Sequence, residues 1–108
     1  MILLNNQLTV NLFCNKKLVQ EIWESNESIT IKSNGGSLMT HWKASIKNYC
    51  NVWFDERFIT NILCFKNVME RFEVRYQSKL VSTFSVTKTD GTTLEFLMHP
   101  DGLHYHNT

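Results

Sequence analysis

The chain has 108 residues, which is enough for one small domain with a modest core. Hydrophobic residues make up 43% of it and aromatic residues 12%, and this composition excludes a disordered tail. Eleven basic and ten acidic residues give a net charge of +1. Because affinity for nucleic acids comes largely from positive charge, we expect no direct nucleic-acid binding.

The sequence predicts neither a membrane-spanning helix nor a signal peptide. No apolar stretch approaches the ~20 residues that a membrane-spanning helix needs. The start lacks a basic region, and the polar triplet Asn5-Asn6-Gln7 interrupts the apolar run, so we expect no signal peptide and no membrane contact. Cys14, Cys50 and Cys64 are widely spaced without a Cys-x-x-Cys pair, which is typical of reduced thiols in an intracellular, cytoplasmic protein.

The first third of the chain predicts a strand, a short helix and a second strand. The apolar run 1–4 predicts a strand that ends in Asn5-Asn6-Gln7. Leu18, Val19, Ile22 and Trp23 lie close to one face of a helix, with Asn15 as its N-cap. The run 29–32 predicts the next strand, and Asn34-Gly35-Gly36 predicts a turn after it.

The remaining elements are mostly strands. Runs 52–54 and 74–76 predict strands, and between them Phe65, Val68, Met69 and Phe72 have the spacing of an amphipathic helix of about two turns. Asp90-Gly91 lies between two runs rich in β-branched and aromatic residues, which is a strong hairpin signal. We therefore expect an all-β fold, a small closed barrel with one or two short helices, in a single domain spanning residues 1–108.

Residue chemistry alone identifies no catalytic or metal site. His104-x-His106 could turn two imidazoles to one side of a strand, but no Cys or carboxylate nearby completes a ligand set, so we expect no metal and no cofactor. A Cys–His nucleophilic pair would need partners brought together by the fold. Cys14 and Cys64 have apolar neighbours, which favours inert buried thiols.

Four segments follow one another in an informative order and spacing. They are Ile2-Leu3-Leu4-Asn5-Asn6-Gln7, Asn51-Val52-Trp53-Phe54, Asn61-Ile62-Leu63-Cys64-Phe65 and Phe72-Glu73-Val74-Arg75-Tyr76. In this order and spacing, the chain resembles the retropepsin-like protease region of copia-type retrotransposon Pol polyproteins. That family runs from an apolar strand into Asp-Ser/Thr-Gly, and later through Asn-Val-Leu-Tyr and Asn-Leu-Leu-Ser-Val before a short helix. Gly102-Leu103-His104-Tyr105 is similar to the family's junction with the next Pol segment, so the resemblance implies a fragment of a longer polyprotein.

The resemblance implies an acid-protease-like barrel that works as a homodimer on a polypeptide. The positions at which this sequence differs from the family lie in the catalytic triplet. Asn5 stands where the family has its catalytic Asp, Asn6 replaces the hydroxyl residue that braces the two subunits, and Gln7 replaces the turn glycine. Two carboxylates close together share a proton, and one then acts as the base on water. An asparagine amide cannot act as that base, so we expect an inactive aspartic peptidase.

The resemblance also places the family's flap at residues 42–49, with Lys43, Ser45, Ile46 and Lys47 as candidate substrate contacts. This segment has no glycine, so we expect it to be stiffer than the family's flap. Two other functions stay open. One is a non-catalytic β-barrel that dimerises or captures an extended peptide by strand addition. The other is a heterodimer in which Asn5 faces a carboxylate from a related chain.

Overall fold

The computed structural model describes residues 1–5, 10–33 and 36–108. Most of this part of the chain lies in strands. They are β1 (Ile2–Asn5), β2 (Leu12–Phe13), β3 (Ile22–Ser33), β4 (Gly36–Ser45), β5 (Asn51–Phe54), β6 (Asn61–Cys64), β7 (Glu73–Gln77), β8 (Thr83–Thr87), β9 (Thr93–Met98) and β10 (His104–His106). A 3₁₀ helix covers Lys16–Leu18 and one α-helix, α1, covers Phe65–Arg71. The expected strand-rich fold with short helices is confirmed.

The ten strands form one twisted sheet in the order β3-β4-β5-β2-β6-β1-β10-β9-β8-β7. Neighbouring strands are antiparallel except in two places, where β1 runs parallel to β6 and β2 runs parallel to β5. Within the described ranges no strand pairing joins β3 to β7, so these two strands are the edges of the sheet. The sheet as described is therefore open, and the closed barrel stays a prediction. None of the helices in the described part is long and apolar enough to cross a membrane.

Local turn chemistry explains the hairpin between β8 and β9. The Asp90 carboxylate accepts a hydrogen bond from the Thr92 backbone N–H at 2.9 Å, and Gly91 adopts a φ of +86°. Glycine tolerates this left-handed conformation because it has no Cβ. The Asp-Gly prediction is confirmed. The β3–β4 hairpin also forms, with Ser33 opposite Gly36, while Asn34 and Gly35 of its predicted turn lie outside the described residues.

The two helix predictions have different outcomes. Helix α1 forms as expected and buries Val68, although Met69 is half exposed. Asn15 caps the 3₁₀ helix, and its side chain accepts from the Lys17 N–H at 2.9 Å. The predicted extension of that helix through Ile22 and Trp23 is wrong, because both residues belong to β3 and pair with β4. Tertiary hydrogen bonding here overrides a helical spacing of apolar residues.

The core lies on one face of the sheet, beneath α1. Alternate strand residues point to this face because successive side chains of a strand point in opposite directions. The buried cluster consists of Ile2, Leu4, Phe13, Ala44, Val52, Phe54, Leu63, Val68, Val86 and Phe96. The half-buried Phe65 and Phe72 pack against it from the two ends of α1.

Two buried asparagines fix the centre of the sheet. The Asn61 carbonyl oxygen accepts from the backbone N–H groups of Cys14 (2.9 Å) and Asn15 (3.1 Å), and its amide donates to the Met1 carbonyl (3.1 Å). The Asn11 carbonyl oxygen accepts from the Cys64 N–H at 2.7 Å. Each asparagine is 6% exposed. Their amides therefore bond β1, β2 and β6 together where the strand ladders are interrupted.

We expect Asn61→Ala to lower the free energy of unfolding by about 1–3 kcal/mol, because it leaves buried backbone groups without partners. Urea unfolding followed by tryptophan fluorescence measures this change. Asn26→Ala is the matched control, because Asn26 is exposed, and it should change stability by less than about 0.5 kcal/mol. An equal effect of the two substitutions would contradict a structural role for the Asn61 amide.

Candidate functional site

Asn5 is the last residue of β1, and it lies opposite Cys64, the last residue of the parallel strand β6. Carboxyl ends of parallel strands meet at one edge of a sheet, and α1 begins directly after Cys64. Two of the segments that carry the resemblance, 2–5 and 61–64, are therefore neighbours in space although 60 residues separate Met1 from the Asn61 side chain that bonds it. Asn5 is half-buried.

The orientation of Asn5 follows from strand alternation. Ile2 and Leu4 face the core, so Leu3 and Asn5 face the opposite side of the sheet. Leu3 pairs with Ile62, and Ile62 pairs with Leu12 on the next strand, so these three residues share that side. Asn6 and Gln7, the other two predicted residues of the triplet, lie outside the described residues.

An open groove of about 470 Å³ lies on the side of the sheet that Asn5 faces. Leu12 and Ile62 contribute to its floor, and Ile31 and Leu38 contribute from the β3–β4 hairpin. Ligand pockets commonly measure about 300–1,000 Å³ and are lined mostly by apolar side chains with a few polar groups. The groove has both properties, and its cations are Lys32 and Arg57.

The residues of the predicted flap do not line this groove. Residues 42–45 are the last part of β4, and Ile46 begins the tight turn to β5, in which the Tyr49 N–H donates to the Ile46 carbonyl at 3.1 Å. Lys43 forms a salt bridge with Glu27 at 3.0 Å and lies 4.7 Å from the centre of the Trp53 ring. Ser45 accepts a hydrogen bond from the Glu21 N–H through its side chain.

Ile46 and Lys47 line a different, smaller cavity beside the core. The strands that flank the groove belong instead to the long β3–β4 hairpin. Its turn was recognisable in the sequence from Asn34-Gly35-Gly36, but nothing local indicated that this hairpin lies beside Leu12 and Ile62.

A second depression, of about 580 Å³, is lined by charged side chains that are already paired. Lys16 and Glu56 form a salt bridge at 3.2 Å. The Asp55 carboxylate accepts from the Arg57 guanidinium at 2.9 and 2.7 Å, and Arg57 also donates to the Met39 carbonyl. These hydrogen bonds from Arg57 hold the pKa of Asp55 at about 2, against 3.8 for an ordinary aspartate. The depression therefore offers no free charge to a ligand.

The surroundings of Cys14, Cys50, His104 and His106 are those of residues that support the fold. Burial raises the pKa of the Cys14 and Cys50 thiols, so both are protonated at neutral pH and are weak nucleophiles. The His104 ring lies 2.9 Å from the Ser82 hydroxyl, and His106 lies 3.0 Å from the Glu95 carbonyl. Among the described residues no three His, Cys, Asp or Glu side chains come together as a metal site would require.

Comparison with protein-family models, with curated proteins and with solved structures gave no match to this chain. The resemblance to the copia-type protease region therefore rests on the residues quoted above, and it stays a prediction.

We expect the Asp55–Arg57 pair to make folding stability fall between about pH 4 and pH 2. A carboxylate whose pKa is lower in the folded state stabilises the fold above its unfolded pKa, and this contribution is lost as pH falls through about 2. The change is at most about 2 kcal/mol, since the Arg57 side chain is exposed. Urea unfolding across this pH range measures it.

Asp55→Asn should flatten that part of the pH profile, because the amide does not titrate. Glu70→Gln, a substitution of an exposed carboxylate on α1, serves as the matched control and should leave the profile unchanged. A profile of Asp55→Asn as steep as that of the unsubstituted protein would show that other carboxylates cause the loss of stability.

Proposed function

We propose that the chain is a degenerate retropepsin-like domain of a copia-type Pol polyprotein, with Asn5 at the position of the catalytic Asp. The observation that carries the proposal is the pairing of Asn5 with Cys64 on adjacent parallel strands. It brings the position of the expected catalytic residue next to segment 61–64, which belongs to the most specific part of the resemblance. The groove lined by Leu12 and Ile62 has room for an extended chain, and Asn5 is not one of its lining residues.

The chemistry of asparagine makes this domain inactive as a peptidase. In the family each subunit contributes one carboxylate, and one of the pair removes a proton from the attacking water. The Asn5 amide has no proton that titrates near neutral pH, so a symmetric dimer would hold water without activating it. General acid–base catalysis contributes about 10²–10⁴ to such rates, and that contribution is lost.

The finer features of the family belong to the same proposal. They are a closed acid-protease-like barrel, a homodimer and an intracellular location. Closure would require a contact beyond the described strand pairings, since β3 and β7 are edges there. In this proposal a second copy completes the site, as in the family.

A second candidate function is the capture of an extended peptide without cleavage. It is favoured by the composition of the groove, where Leu12, Ile31, Leu38 and Ile62 provide apolar walls. Lys32 provides positive charge, whereas Arg57 is already paired with Asp55. Alternate side chains of an extended peptide point to opposite sides. A peptide that alternates apolar and acidic residues would therefore place apolar groups in the groove and a carboxylate near Lys32.

We expect the purified protein to show no pepstatin-sensitive cleavage of a denatured protein substrate at acidic or neutral pH. Asn5→Asp with Gln7→Gly should create pepstatin-sensitive cleavage, because it restores the carboxylate and the turn glycine. Asn5→Asp with Gln7→Asn is the matched control, since it restores only the carboxylate. Sedimentation tests whether the variant is a dimer, which a two-carboxylate site requires.

Pepstatin-blocked cleavage by the unsubstituted chain would contradict the proposal of an inactive site. A folded, dimeric Asn5→Asp/Gln7→Gly variant without activity would contradict the assignment of Asn5 to the catalytic position.

For peptide capture, we expect a fluorescently labelled peptide of alternating valine and glutamate to bind with a measurable anisotropy change. Leu38→Ser should weaken binding about tenfold by removing an apolar wall of the groove. Leu103→Ser is the control, because Leu103 is a partly exposed leucine that does not line the groove. Equal affinity of both variants and the unsubstituted protein would place the peptide elsewhere.

A further inference from the structure

A small apolar cavity of about 110 Å³ lies beside the core, next to the turn between β4 and β5. Its walls include Phe13, Leu63, Val68 and Phe96, each of which is at most 7% exposed. An apolar cavity of about 150 Å³ with such a lining stays dry and can hold benzene. The present cavity has room for a smaller apolar group, such as a chain of about four carbons.

The cavity is not apolar throughout, because Lys47, Tyr49 and Lys88 also line it. Lys47 is exposed and Lys88 is half-buried, so the two lysines mark the side of the cavity that reaches solvent. They come from separate turns, Lys47 from the turn after β4 and Lys88 from the turn after β8. The fold therefore brings two lysines from separate turns to the lining of an apolar space.

Neither lysine is neutralised by a salt bridge. The four ion pairs among the described residues involve other cations. Asp90 is the acidic group nearest to Lys88 in the chain. Hydrogen bonds from Thr92 are the main cause that lowers the pKa of Asp90, the charge of Lys88 adds a smaller effect, and no salt bridge forms between the two residues. Two unpaired cations beside an apolar cavity attract an anion more strongly than a neutral group of the same shape.

We propose that this cavity binds a small monocarboxylate with an unbranched apolar tail of about four carbons. The tail occupies the space between Phe13, Val68 and Phe96, and the carboxylate lies between the ammonium groups of Lys47 and Lys88. This site shares no lining residue with the peptide groove and does not involve Asn5. It is therefore independent of whether the domain captures peptides.

Pentanoate is the direct probe, and its binding is measured by amide chemical-shift changes in the ¹⁵N-labelled protein. We expect saturable shifts at Leu63, Val68 and Phe96, with affinity at least about tenfold higher than for pentanol, which lacks the charge. Acetate lacks the tail and pentylamine reverses the charge, so neither should saturate the site. The proposal would be overturned if pentanol bound as tightly as pentanoate. It would also be overturned if the chemical-shift changes caused by pentanoate were confined to Leu12 and Ile62 in the groove.

Substitutions test separately how the lysine charges and the cavity volume contribute to binding. Lys47→Gln with Lys88→Gln should weaken the binding of pentanoate about tenfold and leave the binding of pentanol unchanged. The control is Lys66→Gln with Lys79→Gln, which removes two exposed lysines elsewhere and should change the affinity for neither ligand. Val86→Ile adds one methyl group beside the cavity and should weaken both ligands while the fold is kept. Unchanged pentanoate affinity in the Lys47/Lys88 variant, or no saturable binding to the folded unsubstituted protein, would also overturn it.

Discussion

The fold depends on two side-chain amides, those of Asn11 and Asn61, at the centre of the sheet. Strands β1, β2 and β6 meet there in a mixture of parallel and antiparallel pairings, and β2 has only two residues. Such a short strand cannot supply all the hydrogen bonds that its buried neighbours need. The Asn61 amide supplies three and the Asn11 carbonyl oxygen supplies one to Cys64. Their burial in a low-dielectric environment makes these bonds costly to break.

This junction determines where the candidate chemistry lies. Asn61 begins β6 and Cys64 ends it, so bonding at both ends of the strand fixes the register of β6 against β1. That register places Asn5 opposite Cys64, on the same face of the sheet as Leu12 and Ile62. The position of Asn5 is thus fixed by strand pairing, while its amide lacks a titratable group. The proposed degenerate peptidase would show this combination, in which the surrounding strands are kept and the residue that acted as the base is replaced.

Predictions from the sequence are confirmed for elements whose structure depends on residues close together in the chain. The Asp90-Gly91 hairpin and helix α1 follow from turn chemistry and from apolar spacing within a few residues. The prediction was wrong for Ile22 and Trp23, because their pairing with β4 comes from residues about twenty positions away. Asn61 was noted only as part of the resemblance, and the structural role of Asn11 and Asn61 was not predicted, since their partners lie 46 to 60 positions distant. The groove was missed for the same reason, because its walls come from three separate segments.

The central claim is that these amides hold the site in place, and native-state amide hydrogen exchange tests it most directly. The backbone N–H groups of Cys14 and Cys64 donate to the Asn61 and Asn11 side chains. The account predicts that both exchange as slowly as amides of the central strands, which open only on global unfolding. Exchange as fast as that of the exposed edge strand β7, at Arg75 for example, would contradict it.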